Sequence, residues 1–427
     1  MTNARQAAFT YLSKIEKDNA YSNLILSEKN QNVNLSDKDR VLAHRIVKTV
    51  LERKITLDYN LSQYLTQPLK KLKPQVLTVL RMGACQLLFM DKIPASAAIN
   101  ESVNLVKKNG CAFASGLVNA VLRKISVNGL KLPSEDENNY LSVKYSFPDY
   151  LVKKFCDYYG RDNAEKIMDA SIDSSKIYIR KNSLKSDGLS CANESTQIEN
   201  CFILKESGDI TALPDFINGL FHVQDISSQI CCSVLDAKKG DTVIDICSAP
   251  GGKSMTISEY MENEGKVISC DIYNHKLKLI SDTAKRLGIK IIETKLRDGT
   301  DVNSELPMAD RILCDVPCSG FGVTGKKPEI KYKDFDEIRQ LPELGLSILE
   351  NSSKYLKVGG RLIYSTCTLL PEENVQVCKA FLERNSNFKT VHIDDSIKGF
   401  RDGETVTILP HIYDCDGFFI SAFEKIN

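Results

Sequence analysis

Residues 241–254 read Asp-Thr-Val-Ile-Asp-Ile-Cys-Ser-Ala-Pro-Gly-Gly-Lys-Ser, and this stretch decides the fold class. Its first half, Thr242 to Ile246, is a short β-branched run, which is typical of a buried parallel strand. Pro250 and the pair Gly251-Gly252 end the strand, and a helix is predicted from Ser254 onward. A strand that feeds a helix through a Gly-rich turn brings free backbone N–H groups close to a ligand. An ordinary strand–turn–helix corner is the interpretation that the glycines alone would favour.

Two nucleotide-binding signatures fail on spacing. A Walker A loop that ended in Gly252-Lys253-Ser254 would need glycine at position 247, where the chain has cysteine. The dinucleotide fingerprint G-x-G-x-x-G is also absent. A P-loop nucleotidase is therefore disfavoured.

Four more strands are predicted after this turn, and polar or reactive residues follow each of them. The strands are Lys266–Cys270, Lys290–Thr294, Arg311–Cys314 and Arg361–Tyr364, followed by Asp271, Asp298, Asp315-Val-Pro-Cys318 and Ser365-Thr-Cys-Thr368 respectively. The carboxyl ends of parallel strands meet at one edge of an α/β sheet, where ligands bind. A single Asp after a strand is usually a turn or N-cap residue, but three at one edge indicate a site. Asp271 is placed to bind ribose hydroxyls.

The composition is that of a globular protein with two to three domains. The chain has 427 residues, of which 42% are hydrophobic and 26% charged. With no apolar run of 18 residues and no apolar signal core in residues 1–10, we expect a cytoplasmic protein without a membrane segment. The 14 cysteines are expected to be reduced thiols. No C-x-x-C pair and only five histidines give no support to a metal site.

The charge is distributed unevenly along the chain. Residues 1–130 hold 19 Lys and Arg against 9 Asp and Glu, a net of +10, whereas residues 131–427 hold 37 against 46, a net of −9. A basic N-terminal third suggests an anionic partner such as nucleic acid, although a solvated lysine-rich surface would look the same. The basic residues expected to form that surface are Lys70, Lys71, Lys73, Arg81, Lys107, Lys108, Arg123 and Lys124.

The fold class expected is multidomain. Residues 1–130 have helical periodicity throughout, 131–142 form a polar linker, 143–218 form a small α+β segment, and 219–427 form the α/β domain. The helices predicted up to residue 235 are Ala4–Lys17, Arg40–Lys54 with Ser36 as N-cap, Leu61–Leu69, Pro74–Met90, Ala95–Asn109, Ala112–Ile125, Pro148–Tyr159, Asp162–Ser171 and Ser227–Leu235. Strands are predicted at Lys176–Arg180 and Cys201–Leu204, with a loop at Gly188–Asn200.

Cys318 and Cys367 differ from the other cysteines in their surroundings. A cysteine is usually a small buried hydrophobe, but these two follow strand ends in turns rich in Pro, Gly, Ser and Thr. Nearby helix N-termini and lysines favour thiolates there. Two such groups can methylate an unactivated pyrimidine carbon: a thiolate adds to C6, C5 attacks a methyl sulfonium, and a base removes the C5 proton before the thiolate leaves. The target base must first be unstacked.

Three motifs, in this order, resemble those of the RNA 5-methylcytosine methyltransferases: Cys247-Ser-Ala-Pro-Gly-Gly-Lys253, Asp315-Val-Pro-Cys-Ser-Gly320 and Ser365-Thr-Cys-Thr368. Pro371-Glu-Glu-Asn374 and Asp416-Gly-Phe-Phe419 fit as well. Upstream, the segments Arg40-Val-Leu-Ala43, Leu57-Asp58, Pro94-Ala95 and Gly116-Leu-Val-Asn-Ala-Val-Leu-Arg123 resemble the NusB-like RNA-binding domain. The fusion of the two is characteristic of the RsmB/Sun (Fmu) family of 16S rRNA cytosine methyltransferases, and the resemblance covers essentially the whole chain.

The resemblance implies a helical NusB-like domain, a Rossmann-like methyltransferase domain and a role for each matching residue. S-adenosylmethionine would lie on the loop formed by Cys247, Ser248, Ala249, Pro250, Gly251, Gly252 and Lys253. Asp271 would bind the ribose, Asp298 would lie by the adenine, and Asp315 would contact the methionine end or the target base. Cys367 would be the nucleophile, and Cys318 would assist product release. The partner would be 16S rRNA, with no obligate protein partner evident.

The resemblance leaves rival interpretations to weigh. DNA cytosine methyltransferases use the cysteine of the Pro-Cys motif as nucleophile, so Ser365–Thr368 is the motif that favours RNA chemistry. A non-catalytic RNA-binding factor is disfavoured because Cys367, Asp315 and Lys253 are all present. A sibling enzyme acting on tRNA or large-subunit rRNA is a closer rival, since phosphate contacts carry no sequence information. Gly325-Lys-Lys-Pro328 departs from the family in having lysines in place of arginines, which weakens bidentate phosphate binding there.

Overall fold

The computed structural model describes residues 3–18, 35–172, 174, 176–185, 188–205, 208–302 and 305–427. The chain divides into two compact units. Unit 1 comprises residues 1–172 together with Thr324–Tyr332, and unit 2 comprises Asp173–Val323 together with Lys333–Asn427. The boundaries expected from sequence at residues 130, 142 and 218 stay predictions.

Unit 1 is helical throughout the part that the structure describes, as predicted. Its helices are α1 (Ala4–Asp18), α2 (Asp37–Glu52), α3 (Lys54–Ser62), α4 (Pro74–Phe89), α5 (Ala95–Lys108), α6 (Ser115–Asn128), α7 (Tyr140–Tyr145), α8 (Asp149–Tyr159) and α9 (Arg161–Ala170). The predicted N-cap at Ser36 is confirmed, since its Oγ accepts a hydrogen bond from the N–H of Asp39 at 3.2 Å. Buried aliphatic side chains from α1 to α6 form one core.

Two details of unit 1 differ from the prediction. The helix expected over Leu61–Leu69 is wrong: α3 spans Lys54–Ser62 instead, and only a short 3₁₀ turn follows at Leu69–Lys71, where Pro68 disfavours helical backbone at the residue before it. Arg81 is not a surface residue. It is 7% exposed, and its guanidinium donates to Asp58 Oδ1 at 2.7 Å and to Glu16 Oε1 at 2.6 Å. The other seven basic residues are exposed as predicted.

A segment from the far part of the sequence completes unit 1. Thr324–Tyr332 ends in a 3₁₀ turn, Pro328–Tyr332, whose side chains pair with backbone of the α2 end. The ammonium of Lys331 donates to the carbonyl of Glu52 at 2.9 Å, and the hydroxyl of Tyr332 donates to that of Leu51 at 2.9 Å. Burial lowers the pKa of Lys331 to about 7. The segment that contains Gly325-Lys-Lys-Pro328, which departs from the family pattern, is therefore anchored by polar contacts to helical carbonyls.

Unit 2 begins with a small antiparallel sheet in the order β2-β3-β1-β4. Its strands are β1 (Tyr178–Lys181), β2 (Ala192–Ser195), β3 (Cys201–Leu204) and β4 (Phe221–Val223). The loop predicted over Gly188–Asn200 is wrong where β2 lies. This polar segment extends as a strand because β3 supplies backbone hydrogen-bond partners, and tertiary pairing overrides weak propensity.

The large sheet has the strand order β11-β12-β13-β9-β8-β5-β6-β7, with β10 paired to β13. The strands are β5 (Thr242–Asp245), β6 (Lys266–Asp271), β7 (Ile292–Leu296), β8 (Ala309–Asp315), β9 (Leu356–Thr366), β10 (Phe388–Thr390), β11 (Phe400–Asp402), β12 (Thr405–Ile408) and β13 (Phe418–Lys425). β5 to β9 pair in parallel, and β10 to β13 pair antiparallel. All five strands predicted for the parallel sheet are present.

Helices connect these strands in unit 2. They are α10 (Pro214–Ile217), α11 (Ile226–Leu235), α12 (Gly252–Tyr260), α13 (Asn274–Leu287), α14 (Phe335–Ile338), α15 (Leu341–Ser353), α16 (Val375–Arg384) and α17 (Pro410–Tyr413). β5 has β6 on one side and β8 on the other, so the Gly-rich turn after β5 lies where the strand order reverses. In the described ranges, no helix is long and apolar enough to cross a membrane.

Candidate active site

The Gly-rich turn connects β5 to α12 at the predicted edge of the sheet. Ser248 is held at its entry, since its N–H and its Oγ both donate to the carbonyl of Cys270 at 2.9 Å. Gly251 is the N-cap of α12 and has φ +104°, a conformation that side chains rarely adopt. A Cβ at Gly251 would also lie 3.1 Å from Ile280. The first turn of α12 thus keeps its backbone N–H groups free of a side-chain cap.

Lys253 and Asp315 meet above the ends of β5 and β8. The ammonium of Lys253 lies 2.6 Å from Asp315 Oδ2, and the hydroxyl of Ser365 donates to Asp315 Oδ1 at 3.0 Å. Burial opposes the charge on Lys253, but the attraction and hydrogen bond of Asp315, together with the neighbouring Cys231 and Cys232, hold the pKa of Lys253 above its ordinary value. The predicted residues Lys253 and Asp315 are therefore one ion pair, and Ser365 orients its carboxylate.

Asp245 is a site residue that the sequence interpretation missed. It ends β5 and is fully buried, and its Oδ2 accepts from the hydroxyl of Ser254 at 2.6 Å. Its Oδ1 has no hydrogen-bond partner among the described residues, and the residue lines the cavity described below. Burial raises the pKa of Asp245 to about 7. Its place in the β-branched run suggested a core position, and only the acid in that run could have signalled a site.

Asp271 and Asp298 follow β6 and β7 as predicted. Asp271 is the last residue of β6, and its Oδ1 accepts from the N–H of Tyr273 at 3.0 Å. Asp298 Oδ1 accepts from the N–H of Thr300 at 2.9 Å and from its hydroxyl at 2.7 Å. The hydrogen bonds from Thr300 lower the pKa of Asp298. Both aspartates thus close local turns with one oxygen at the carboxyl edge of the sheet.

A cavity of about 210 Å³ opens at this edge, beside the Gly-rich turn. Three acids and one lysine contribute to its wall, among them Asp245, Asp315 and Lys253. The rest of its lining comes from the turn and from the segment before α11: Val223, Gln224, Asp225, Ser228, Cys247, Ser248, Ala249, Pro250 and Gly252. The arrangement combines backbone N–H groups with carboxylates, so it suits a ligand that carries both an anionic and a cationic group.

The two predicted reactive cysteines lie against each other. Cys318 Sγ is 3.2 Å from Cys367 Sγ, and both residues are partly exposed. The hydrogen bond to Cys367, reinforced by burial, raises the pKa of Cys318 well above its ordinary value. Cys318 therefore keeps its proton and can donate it toward the Cys367 sulfur.

Neighbouring residues lock the two cysteine loops together. The hydroxyls of Ser319 and Thr368 lie 2.6 Å apart, and the N–H of Gly322 donates to the carbonyl of Cys367 at 2.9 Å. A Cβ at Gly322 would lie 2.0 Å from the carbonyl oxygen of Gly417, so only glycine fits there. The sequence interpretation missed this role for Gly322, and the carbonyl contact has no sequence signal.

The motif Pro371-Glu-Glu-Asn374 lies directly before α16 and supports the same two loops. Asn374 accepts a hydrogen bond from the Thr366 hydroxyl at 2.6 Å and donates one to the Thr368 carbonyl at 3.0 Å. Glu373 Oε2 accepts from the N–H of Ser319 at 2.8 Å. Burial raises the pKa of Glu373. The motif therefore fixes the backbone on both sides of Cys367.

Comparison with known proteins assigns the family. The family model for the 16S rRNA methyltransferases RsmB/F matches residues 232–424, and the model for the NusB family matches residues 2–127. A Bacillus subtilis protein named "Probable ribosomal RNA small subunit methyltransferase B" is 38% identical over 99% of both chains. The chain belongs to the RsmB/F family of 16S rRNA methyltransferases. The family is S-adenosylmethionine-dependent.

Further relatives agree with this assignment. A Synechocystis protein with the same printed name is 32% identical over the full length of both chains. The crystal structure of PH0851 covers 99% of this chain and 98% of its own, with 25% identity and a TM-score of 0.81. NSun6 from Pyrococcus horikoshii, solved with SFG, covers 66% of this chain and 99% of its own at 21% identity and a TM-score of 0.60, a likeness of fold alone. The predicted NusB-like and methyltransferase domains are confirmed.

Proposed function

We propose that this protein transfers a methyl group from S-adenosylmethionine to C5 of a cytosine in 16S rRNA, with Cys367 as the covalent nucleophile. The observation that carries the proposal is the contact of two thiols at 3.2 Å. They follow Asp315 and Ser365 by three and two residues, at the sheet edge that carries the Gly-rich turn and the Lys253–Asp315 pair. Methylation of a nitrogen or an oxygen needs no covalent thiol, whereas a pyrimidine C5 does.

The residues around the cavity fit S-adenosylmethionine. The partnerless Oδ1 of Asp245 offers an acceptor to an ammonium or a sulfonium, and Lys253 with the N–H groups of the turn suits a carboxylate. Asp271 and Asp298 lie at the neighbouring strand ends, where we assign them to the ribose and the adenine. S-adenosylmethionine supplies an electrophilic methyl group when bound. SFG, an analogue of it, is present in the Pyrococcus structure with the same fold.

The protein's own groups account for the remaining chemistry. The Cys367 thiolate adds to C6 of the flipped base, which makes C5 nucleophilic. C5 then takes the methyl group as the bond from the methyl carbon to the sulfonium sulfur breaks, and the thioether S-adenosylhomocysteine is left. A base removes the C5 proton, the C6–S bond breaks, and its electron pair returns to Cys367. Because Cys318 retains its proton beside Cys367, it can donate to the departing sulfur. We assign Asp315 to contact either the target cytosine or the methionine end of S-adenosylmethionine. Lys253 and Ser365 orient its carboxylate.

The substrate assignment rests on the family and on charge. The relatives' names place them on small-subunit rRNA, and the NusB-like part of this chain has a net charge of +10 over residues 1–130. Exposed lysines attract the phosphate backbone and position an RNA without reading its bases. We propose a cytoplasmic enzyme that acts on 16S rRNA without an obligate protein partner.

Identification of the methylated nucleoside tests the proposal. The purified protein is incubated with S-adenosylmethionine and 16S rRNA transcript, and the RNA is digested to nucleosides for mass spectrometry. We expect 5-methylcytidine at one position, and none with tRNA or 23S rRNA. N4-methylcytidine or a methylated purine would contradict C5 chemistry, and labelling of only tRNA or 23S rRNA would contradict the substrate.

A further inference from the structure

A buried polar network lies behind the cofactor turn, outside the catalytic cysteines. Arg180 on β1 and Glu259 on α12 form a fully buried ion pair, with the guanidinium Nε 2.7 Å from Oε2. The guanidinium also lies over the ring of Tyr260, 4.8 Å from its centroid. His222 on β4 is buried beside them. Polar groups are costly to bury, so a network of this kind at the back of a ligand turn requires an explanation.

The network leads directly to the cavity wall. Thr256 lies one turn after Gly252 on α12, and its hydroxyl donates to Gln224 Oε1 at 2.6 Å. His222 Nε2 lies 3.3 Å from the same hydroxyl oxygen. Gln224 lines the cavity beside Gly252. Arg180, Glu259, His222, Thr256 and Gln224 thus connect the small sheet to the cofactor turn.

The hydrogen-bond directions leave one gap that needs a proton. The hydroxyl of Thr256 has one hydrogen and two oxygen acceptors, Gln224 Oε1 at 2.6 Å and the Gly252 carbonyl at 3.1 Å. With the hydrogen on either of them, His222 Nε2 donates to Thr256, and Nδ1 of the neutral ring is left as an acceptor. That Nδ1 faces Glu259 Oε1 at 3.6 Å, and neither atom has another hydrogen-bond partner in the described part of the chain. Two buried acceptors face each other unless one of them carries a proton.

We propose that His222, Thr256 and Glu259 are positioning residues, which hold Gln224 and the first turn of α12 in the geometry that binds S-adenosylmethionine. The inference rests on the proposed cofactor site. It explains why α12 has a polar back face, and it gives the small sheet a function: β1 and β4 brace the helix whose N-terminus faces the ligand.

The geometry also makes the brace depend on pH. Burial lowers the pKa of His222 to about 3 and raises that of Glu259 to about 7, so below about pH 7 the carboxyl takes up the proton, and above it Glu259 is the carboxylate of the ion pair with Arg180. Arg180 on β1 opposes this by favouring the carboxylate, and Arg286 on α13, which donates to the Phe221 carbonyl at 3.0 Å, disfavours a charged His222. Because the folded pKa of Glu259 is raised, the brace is present below that pKa and is lost as the pH rises through about 7.

Calorimetric titration of the full-length protein with S-adenosylmethionine tests the network. Thr256→Val removes the hydroxyl that joins His222 to Gln224, and we expect Kd to rise about five- to tenfold, as for one buried hydrogen bond or slightly more. The affinity for 16S rRNA should not change. Thr256→Ser restores the hydroxyl and should restore the affinity, and Thr390→Val, the same change on β10, is the matched control.

Glu259→Gln tests the proton. The amide donates permanently toward Nδ1 while its oxygen still accepts from Arg180, so this variant mimics the protonated carboxyl. The ratio of wild-type Kd to variant Kd should rise severalfold between about pH 6 and pH 8. A constant ratio, or a Thr256→Val variant that binds like the wild type, would overturn this inference alone. A wild-type protein that binds no S-adenosylmethionine would overturn the proposed cofactor site and this inference with it.

Discussion

Two pairs of side chains lie at the carboxyl ends of β8 and β9, and they differ in how the fold positions them. Asp315 ends β8 and pairs with Lys253, whereas Cys318, three residues further on, touches Cys367 beyond the end of β9. In the register of β8 and β9 Asp315 lies opposite Ser365, so strand pairing fixes the carboxylate of the first pair, and the first turn of α12 supplies its lysine. Loops set the second, through the contacts of Gly322 and Asn374. An ion pair held at the strand ends suits ligand binding, and a pair of thiols held by loops suits chemistry that makes and breaks a bond.

The largest effect is expected at the thiol pair. Cys367→Ala should lower the methylation rate at least about a thousandfold, because no other group can add to C6. S-adenosylmethionine affinity, measured by calorimetry, should stay within about twofold. Cys415→Ala, at another partly exposed cysteine, is the matched control. Single-turnover methylation at the wild-type rate in Cys367→Ala would contradict the assignment of Cys367 as the nucleophile.

Breaking the ion pair should weaken S-adenosylmethionine binding, which the change at Cys367 leaves intact. Lys253→Met leaves the Asp315 carboxylate without its cation, and we expect S-adenosylmethionine Kd to rise about tenfold or more, since charge-assisted hydrogen bonds contribute about 1.5–3 kcal/mol. The melting temperature without ligand should fall as well, because breaking a pair of this kind is destabilising. Lys239→Met, in a surface ion pair with Glu262, is the control. Unchanged Kd in Lys253→Met would remove Lys253 from the cofactor site.

Asp245 should make S-adenosylmethionine binding depend on pH. Its pKa is raised to about 7, so the carboxyl is neutral below that pH and becomes an anion above it, where it attracts the cationic groups of S-adenosylmethionine. In Asp245→Asn this gain is absent. The ratio of variant Kd to wild-type Kd should therefore increase about three- to tenfold from pH 6 to pH 8. A ratio that stays constant would mean that Asp245 does not face the ligand's charge.

The smallest effect is expected in unit 1, at the exposed lysines in and after the turn Leu69–Lys71. Replacement of Lys70, Lys71 and Lys73 by alanine should weaken 16S rRNA binding and lower the salt slope of log K by at most about three. The rate of methylation at saturating RNA should not change. The control replaces three exposed lysines of unit 2, Lys379, Lys389 and Lys398. An unchanged slope would show that these residues do not touch phosphate.

The parts of the fold that have a strong local pattern could be predicted from the sequence. The β-branched runs of the parallel sheet and most of the amphipathic helices of unit 1 are such parts, and their ends shift by only a few residues. The helix predicted over Leu61–Leu69 is the exception. β2 and the buried position of Arg81 could not be predicted, because a strand partner and two distant carboxylates decide them. At the site, motifs indicated the residues that meet the ligand edge, but not Asp245 or the contact of Gly322 with Cys367. Those depend on tertiary approach, which has no spacing in the sequence.

Covalent trapping tests most directly whether Cys367 is the nucleophile. Cys318→Ala is mixed with 16S rRNA and S-adenosylmethionine and run on a denaturing gel. We expect a retained protein–RNA band, because the adduct forms at Cys367 and its release is slowed. No band should appear when Cys367→Ala is added to this variant. A band with Cys367→Ala alone, and none with Cys318→Ala, would reverse the two roles and contradict the assignment of the nucleophile.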